Sequence, residues 1–258
     1  MLQQPRPWFL IARFAATRAE SQSYLSNAGW SSLEQGRTLS LEVGITPDIS
    51  LAFTVPVMVR RIAGAESVNP GLRKAILARE QGSAGRSKSN AGGWHSEETL
   101  LSWPEPEIVT LKKWIDDAVR EMCELPLRGQ SGKLQLGYRA AAWANVNRNG
   151  HYNTTHVHAG SHWSVVYYVD TGEEAPGHPA NGQLEIRDPR PAAVFGRMPG
   201  FMFGRHMSIK PHRGLLVVFP AWLEHGVRPF FGTGERISIA VNIDITRFEI
   251  EGAPTSSH

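Results

Sequence analysis

Three histidines are the residues best equipped for chemistry in this sequence. His156 and His158 stand two apart in Gly150-His-Tyr-Asn-Thr-Thr-His156-Val-His158, and His225 comes much later, in Phe219-Pro-Ala-Trp-Leu-Glu-His225-Gly-Val. Residues at i and i+2 of a β-strand project from the same face. Two imidazoles from one strand and a third from a distant strand or turn can therefore cap one side of a metal ion. Imidazole suits iron, zinc, copper or nickel, and the open side of such a site is left for substrate or O₂.

A second group lies in Glu235-Arg236-Ile-Ser238-Ile-Ala240-Val-Asn242-Ile, which alternates strictly. Arg236, Ser238, Ala240 and Asn242 share one face, and Ile237, Ile239, Val241 and Ile243 share the other. If the aliphatic face packs on a flanking layer, Arg236 turns inward. A buried guanidinium needs an anion, and its planar fork matches a carboxylate bidentately. Two partners fit at this point: a bound carboxylate ligand, or a structural ion pair with Asp188 or Glu185.

These residues need a framework, and the chain is long enough for one. With 258 residues, 41% hydrophobic and 20% charged, it reads as a single globular domain with extensions. The formal charge of +3 is spread over scattered basic residues, which does not argue for nucleic acid. A single cysteine, Cys123, excludes an internal disulfide and suits a reducing compartment. No apolar run has the length of a membrane span, so a cytoplasmic protein is expected. Met1 to Arg18 carries arginines and no acid, followed by Ala, Ser and Thr. That pattern faintly resembles a transit peptide, but a poorly ordered extension over residues 1–46 is the expectation. The domain proper is expected over 47–250, with a tail at 251–258.

Within the domain, Leu51 to Arg60 reads as a strand that Pro56 places at an edge. Asn69-Pro70 opens a helix running to Glu80. Glu107 to Cys123 has the apolar period of an amphipathic helix. From Lys133 onward the pattern is strands: 134–147, 151–158, 163–169, 183–186, 214–219 and 236–245, separated by Gly, Pro and Asn. Helices first and then an antiparallel β half predict a mainly β (α+β) fold. Its expected form is a double-stranded β-helix, or jelly-roll barrel, with N-terminal flanking helices and a mouth able to hold a small ligand. Trp94 and His95 fall in a Gly-rich loop that is a candidate lid. Tyr167 and Asn242 are candidates for contact with substrate, and Trp222 is expected to fill core beside the metal.

The combination of a histidine pair, a distal histidine and Arg236-x-Ser238 resembles the Fe(II)/2-oxoglutarate-dependent oxygenases. Four segments, Ser89–Ser96, Trp143–Val169, Leu184–Arg190 and Gly214–Ile243, are similar to a bacterial and phage group of these enzymes without an assigned substrate. The resemblance implies that His156, His158 and His225 hold iron, and that Arg236 and Ser238 hold the far carboxylate of 2-oxoglutarate. Asn145 and Asn147, spaced before His156 as a pair is in the nucleic-acid demethylase branch, become further cosubstrate candidates. It implies hydroxylation of a small-molecule or peptidyl substrate coupled to oxidative decarboxylation of 2-oxoglutarate, with ascorbate as a reductant and no protein acid or base beyond the metal ligands. No nucleic acid or membrane partner is implied, and a homodimer is allowed. The sequence departs from the superfamily in one place, since His158 stands where most members have Asp or Glu. Three-histidine cupin dioxygenases, which do not use 2-oxoglutarate, offer a rival pattern in Gly150-x₅-His156-x-His158 and Gly214-x₅-Pro220. The cupin pattern lacks its glutamate after His158 and leaves Arg236 without a role. A third reading is a metal-binding barrel without turnover.

Overall fold

A computed structural model describes residues 53–127, 132–196 and 204–251. The expected extension over 1–46 and nearly all of the expected tail lie outside these residues. The compact unit that carries the strands begins at Val55. Its elements in chain order begin with β1 (Met58–Arg61), α1 (Ala65–Gln81), β2 (Asn90–Ala91), β3 (Trp94–His95), α2 (Pro106–Glu124) and β4 (Lys133–Asn147). There follow β5 (Tyr152–His156), β6 (Trp163–Glu174), β7 (Leu184–Arg187), β8 (His206–Ile209), β9 (Leu215–Pro220), β10 (His225–Val227) and β11 (Gly232–Glu251).

The strands form two antiparallel sheets. One runs β1-β9-β6-β11-β4-β3, the other β2-β5-β10-β7-β8. This is the double-stranded β-helix expected from the sequence, with β1 at an edge as Pro56 suggested. Alternation along β11 sets its two faces. Ile237, Ile239, Val241 and Ile243 pack outward against Leu72 and Ile76 of α1 and against Ile108, Leu111, Ile115 and Val119 of α2. Each such side chain, fully buried, contributes about 1.5–3 kcal/mol relative to exposure. A second cluster, including Phe219, Leu184, Ile186 and Leu223, fills the space between the sheets.

One helix expectation holds and the other needs adjustment. α2 matches the predicted periodic stretch, with Pro at its first position as that residue's fixed φ favours. α1 begins four residues before the Asn69-Pro70 signal, after Gly64 at φ +79°, and Pro70 lies inside it. Asn69 caps nothing: its Oδ1 accepts from the Tyr167 hydroxyl at 2.6 Å. The strand expected over 151–158 stops at His156, which leaves His158 just beyond it.

Candidate active site

The three histidines meet. One ring nitrogen from each lies within 4.8 Å of the other two, and the ring centroids are separated by 4.5 Å (His156–His225), 4.8 Å (His156–His158) and 5.1 Å (His158–His225). His156 and His225 are directly paired across β5 and β10, which brings their side chains to one face. His158 reaches the cluster from outside the strand, its backbone N–H donating to Ala221 O at 3.0 Å. That bond ties the chain after β5 to the turn before His225.

The surroundings prepare these imidazoles for a metal. His156 Nδ1 lies 2.7 Å from Thr154 O, and His225 Nδ1 lies 2.8 Å from Leu223 O. A carbonyl only accepts, so both Nδ1 atoms carry the proton and both Nε2 atoms present a lone pair. Outer bonds of this kind orient metal-ligating histidines. Burial, with a smaller push from neighbouring histidines, lowers the pKa of His158 to about 4 and that of His225 to about 3. Neutral imidazole is the form that ligates. Phe219 packs edge-on against His225 at 4.7 Å, and Trp143 packs against His158 at 5.7 Å.

Arg236 lies in the same pocket, which is also lined by Asn145, Ser164, Ser238 and Asn242. It is 1% exposed. Its Nε donates to Gly182 O at 3.1 Å, while both terminal nitrogens lack a hydrogen-bond partner among the described residues. The ion pairs expected as its alternative do not form: Asp188 binds Arg190 at 2.7 Å, and Glu185 binds Arg228 at 2.8 Å. Gly182, at φ +59°, has no room for a side chain, since a Cβ there would meet Arg236 Cδ and Nε at 3.2 Å. The guanidinium carbon stands 5.1 Å from the centre of the Tyr168 ring. Burial raises the Tyr168 pKa and lowers that of Arg236, and each group partly offsets the other's shift. The two are near enough to sense each other's charge, and among the described residues the Tyr168 hydroxyl has no partner that meets hydrogen-bond geometry.

Other predicted residues separate cleanly. Asn145 and Asn147 pair with Ser238 and Arg236 across β4 and β11, and the side-chain oxygen of each is buried without a partner. Asn147 also donates to Asn153 Oδ1 at 3.3 Å. His95 is buried and stacks on Trp143 at 5.2 Å, with its Nδ1 on Ser96 O. It is part of the wall behind Trp143. Trp94 is a correction: it packs on the helix-side cluster and its indole N–H holds Ser83 O at 3.0 Å, so it pins the loop and covers no mouth. Tyr167 is another. Its hydroxyl goes to Asn69 and its ring lies 5.5 Å from Trp114, on the helix side of the sheet. Tyr168, one residue on, is the inward tyrosine. Trp222 is 54% exposed and fills no core. Sequence reasoning also missed Ser164, 2% exposed with an unpartnered hydroxyl on the pocket wall. A lone strand serine carries no signal that could have singled it out.

Residues 141–242 match the family model described as "Putative 2OG-Fe(II) oxygenase". This stretch is similar to the 2OG-Fe(II) oxygenases, and it holds all three histidines and Arg236. No curated protein matches it. Among solved structures, a Pseudomonas putida prolyl-4-hydroxylase is 16% identical with a TM-score of 0.52, over 74% of this chain and 93% of that one. A Trichoplax adhaerens prolyl hydroxylase, in complex with a hypoxia inducible factor oxygen degradation domain peptide fragment, is 14% identical with a TM-score of 0.52, over 74% and 84%. At such identities the likeness speaks for the fold alone. Fe(II) and 2-oxoglutarate, the groups that the family description names, fit the site: three converging nitrogen donors suit the metal, and a buried cation with two nitrogens unpartnered among the described residues suits a carboxylate. No helix among the described residues is long and apolar enough to cross a membrane.

Proposed function

We propose that this oxygenase couples oxidative decarboxylation of 2-oxoglutarate to hydroxylation, or a related C–H oxidation, of a small-molecule or peptidyl substrate. The observation that carries the reading is the pair of unpartnered Arg236 nitrogens, buried in the pocket that also contains the histidine cluster. An uncompensated guanidinium costs several kcal/mol in a protein interior, and a bound carboxylate removes that cost. His156, His158 and His225 would hold the iron. Arg236, helped by Ser238 and by the Tyr168 hydroxyl, would hold the far carboxylate of 2-oxoglutarate, with Asn145 on the pocket wall and Asn147 opposite Arg236 on β4. When bound, iron with 2-oxoglutarate supplies the oxidising power. The chain's own part is positioning and exclusion of water, with Phe219 and Trp143 packed around the ligands. No side chain is assigned a proton transfer. Ascorbate as reductant, a cytoplasmic location and an allowance for a homodimer belong to the reading on sequence grounds.

The test is anaerobic addition of Fe(II) and 2-oxoglutarate, watching for the weak visible charge-transfer band of the chelate. The band is expected in the native protein and absent in His225→Ala and Arg236→Ala. Iron binding with no response to 2-oxoglutarate would instead favour the three-histidine cupin chemistry. A protein that takes no divalent metal would be left as a barrel without turnover.

A further inference from the structure

The inward row of β11 has two polar ends, and only one serves the cosubstrate. Arg236 and Ser238 are buried, whereas Ala240 and Asn242 are partly open, so the pocket closes at Arg236 and opens at Asn242. Six residues of strand separate Arg236 from Asn242, roughly 20 Å at about 3.3 Å per residue. A five-carbon diacid is roughly 5 Å between its end carbons at standard bond lengths. 2-Oxoglutarate anchored on Arg236 therefore cannot reach Asn242. Ser164 is the direct cross-strand partner of Asn242, and its other neighbour, Phe219, touches the His225 ring. The Ser164 hydroxyl and the Asn242 side-chain oxygen are both buried without a partner, and both residues line the pocket. This is a second polar site, linked to the histidines through Phe219.

Charge indicates what it takes. Among the described residues no Asp or Glu lines the pocket. Glu174, whose charge reaches Arg236, is paired with Lys210 at 3.0 Å, and other acids of these strands and of the turn before His225 are engaged too: Asp244 with Arg139 at 2.6 Å, Glu185 with Arg228 at 2.8 Å and Glu224 with Arg187 at 3.3 Å. Three imidazoles leave a divalent metal its whole charge, and Arg236 adds another positive charge. The dianion 2-oxoglutarate cancels only two of the three. Where the superfamily usually has a carboxylate, this chain has His158, so one positive charge remains among largely buried side chains, where it is expensive. We infer that the substrate brings the missing negative charge, as a carboxylate seated on Ser164 and Asn242 beside the three-histidine centre. The inference rests on the proposed cosubstrate role of Arg236. It assigns Ser164 and Asn242 as substrate-anchoring residues, with the Asn242 amide turned to donate.

The experiment uses the full chain loaded with Zn(II) and saturating 2-oxoglutarate, which cannot turn over. The side-chain amide signals of Asn242, identified by their loss in Asn242→Ala, are followed by ¹H–¹⁵N NMR during titration with acetate and with its neutral isostere acetamide. Acetate is expected to move these signals with at least tenfold higher affinity than acetamide. Asn242→Asp, which places a carboxylate in the seat, is expected to weaken acetate at least tenfold, and Ser164→Ala several-fold, with Zn(II) and 2-oxoglutarate still bound. If both probes act alike, or if the variants leave acetate binding unchanged, the inference is overturned while the oxygenase reading stands. If Zn(II) and 2-oxoglutarate do not load at all, both readings fall together.

Discussion

The two faces of β11 are built by opposite rules. Outward, Ile237, Ile239, Val241 and Ile243 are buried in a continuous apolar cluster with α1 and α2. Inward, on the alternate residues of the same strand, Arg236 and Asn242 keep buried polar atoms without partners. Native interiors rarely leave such atoms unpaired. A strand whose one face is fully satisfied can hold the other in an unfavourable state, and that state is what a ligand relieves. Stability and binding are thus divided between residues only one position apart.

Substitutions on the two faces should separate the two properties. The largest effect is expected from Arg236→Met. Loss of the charge partner of a buried carboxylate costs about 4 kcal/mol, near a thousandfold in 2-oxoglutarate affinity by calorimetry. The ligand-free variant should nevertheless melt no lower than the native protein, because an unpaired buried charge has been replaced by an apolar chain. A fall in its Tm would show that the guanidinium is structurally compensated after all. Ile239→Ala, three residues away on the outward face, should lower stability by about 3 kcal/mol in urea unfolding, with 2-oxoglutarate affinity in the folded fraction unchanged. Tyr168→Phe is the mildest. Loss of a single hydrogen bond, about 1 kcal/mol, should weaken 2-oxoglutarate roughly fivefold and leave metal binding alone.

The same contrast explains which parts were legible in the sequence. The Ile/Val face of β11 alternates with polar residues, so its parity could be read directly, and with it the inward turn of Arg236. The histidines were legible because three of one ligand type recur near turn signals. Tyr167 was chosen over Tyr168 because β6 is a central strand, flanked by β9 and β11 and apolar on both sides, and such strands lose the alternation that reveals a face. The early start of α1 was hidden because Gly64 offers no side-chain cap and Pro70 imitates a first-turn proline. β10 is three residues long, too short for any periodic signal. Ser164 became visible only through the missing partner of its hydroxyl, a fact of three dimensions.

His158 lies past the end of β5, and its backbone amide is held by Ala221, whereas His156 and His225 are fixed by sheet pairing. The segment from His158 to His162 is tied at both ends to the turn before His225, through His158 N–H to Ala221 O and Ala221 N–H to His162 O. Two of the three donors are thus set by a ladder and the third by that turn, so a change in the turn alone is transmitted to a single donor.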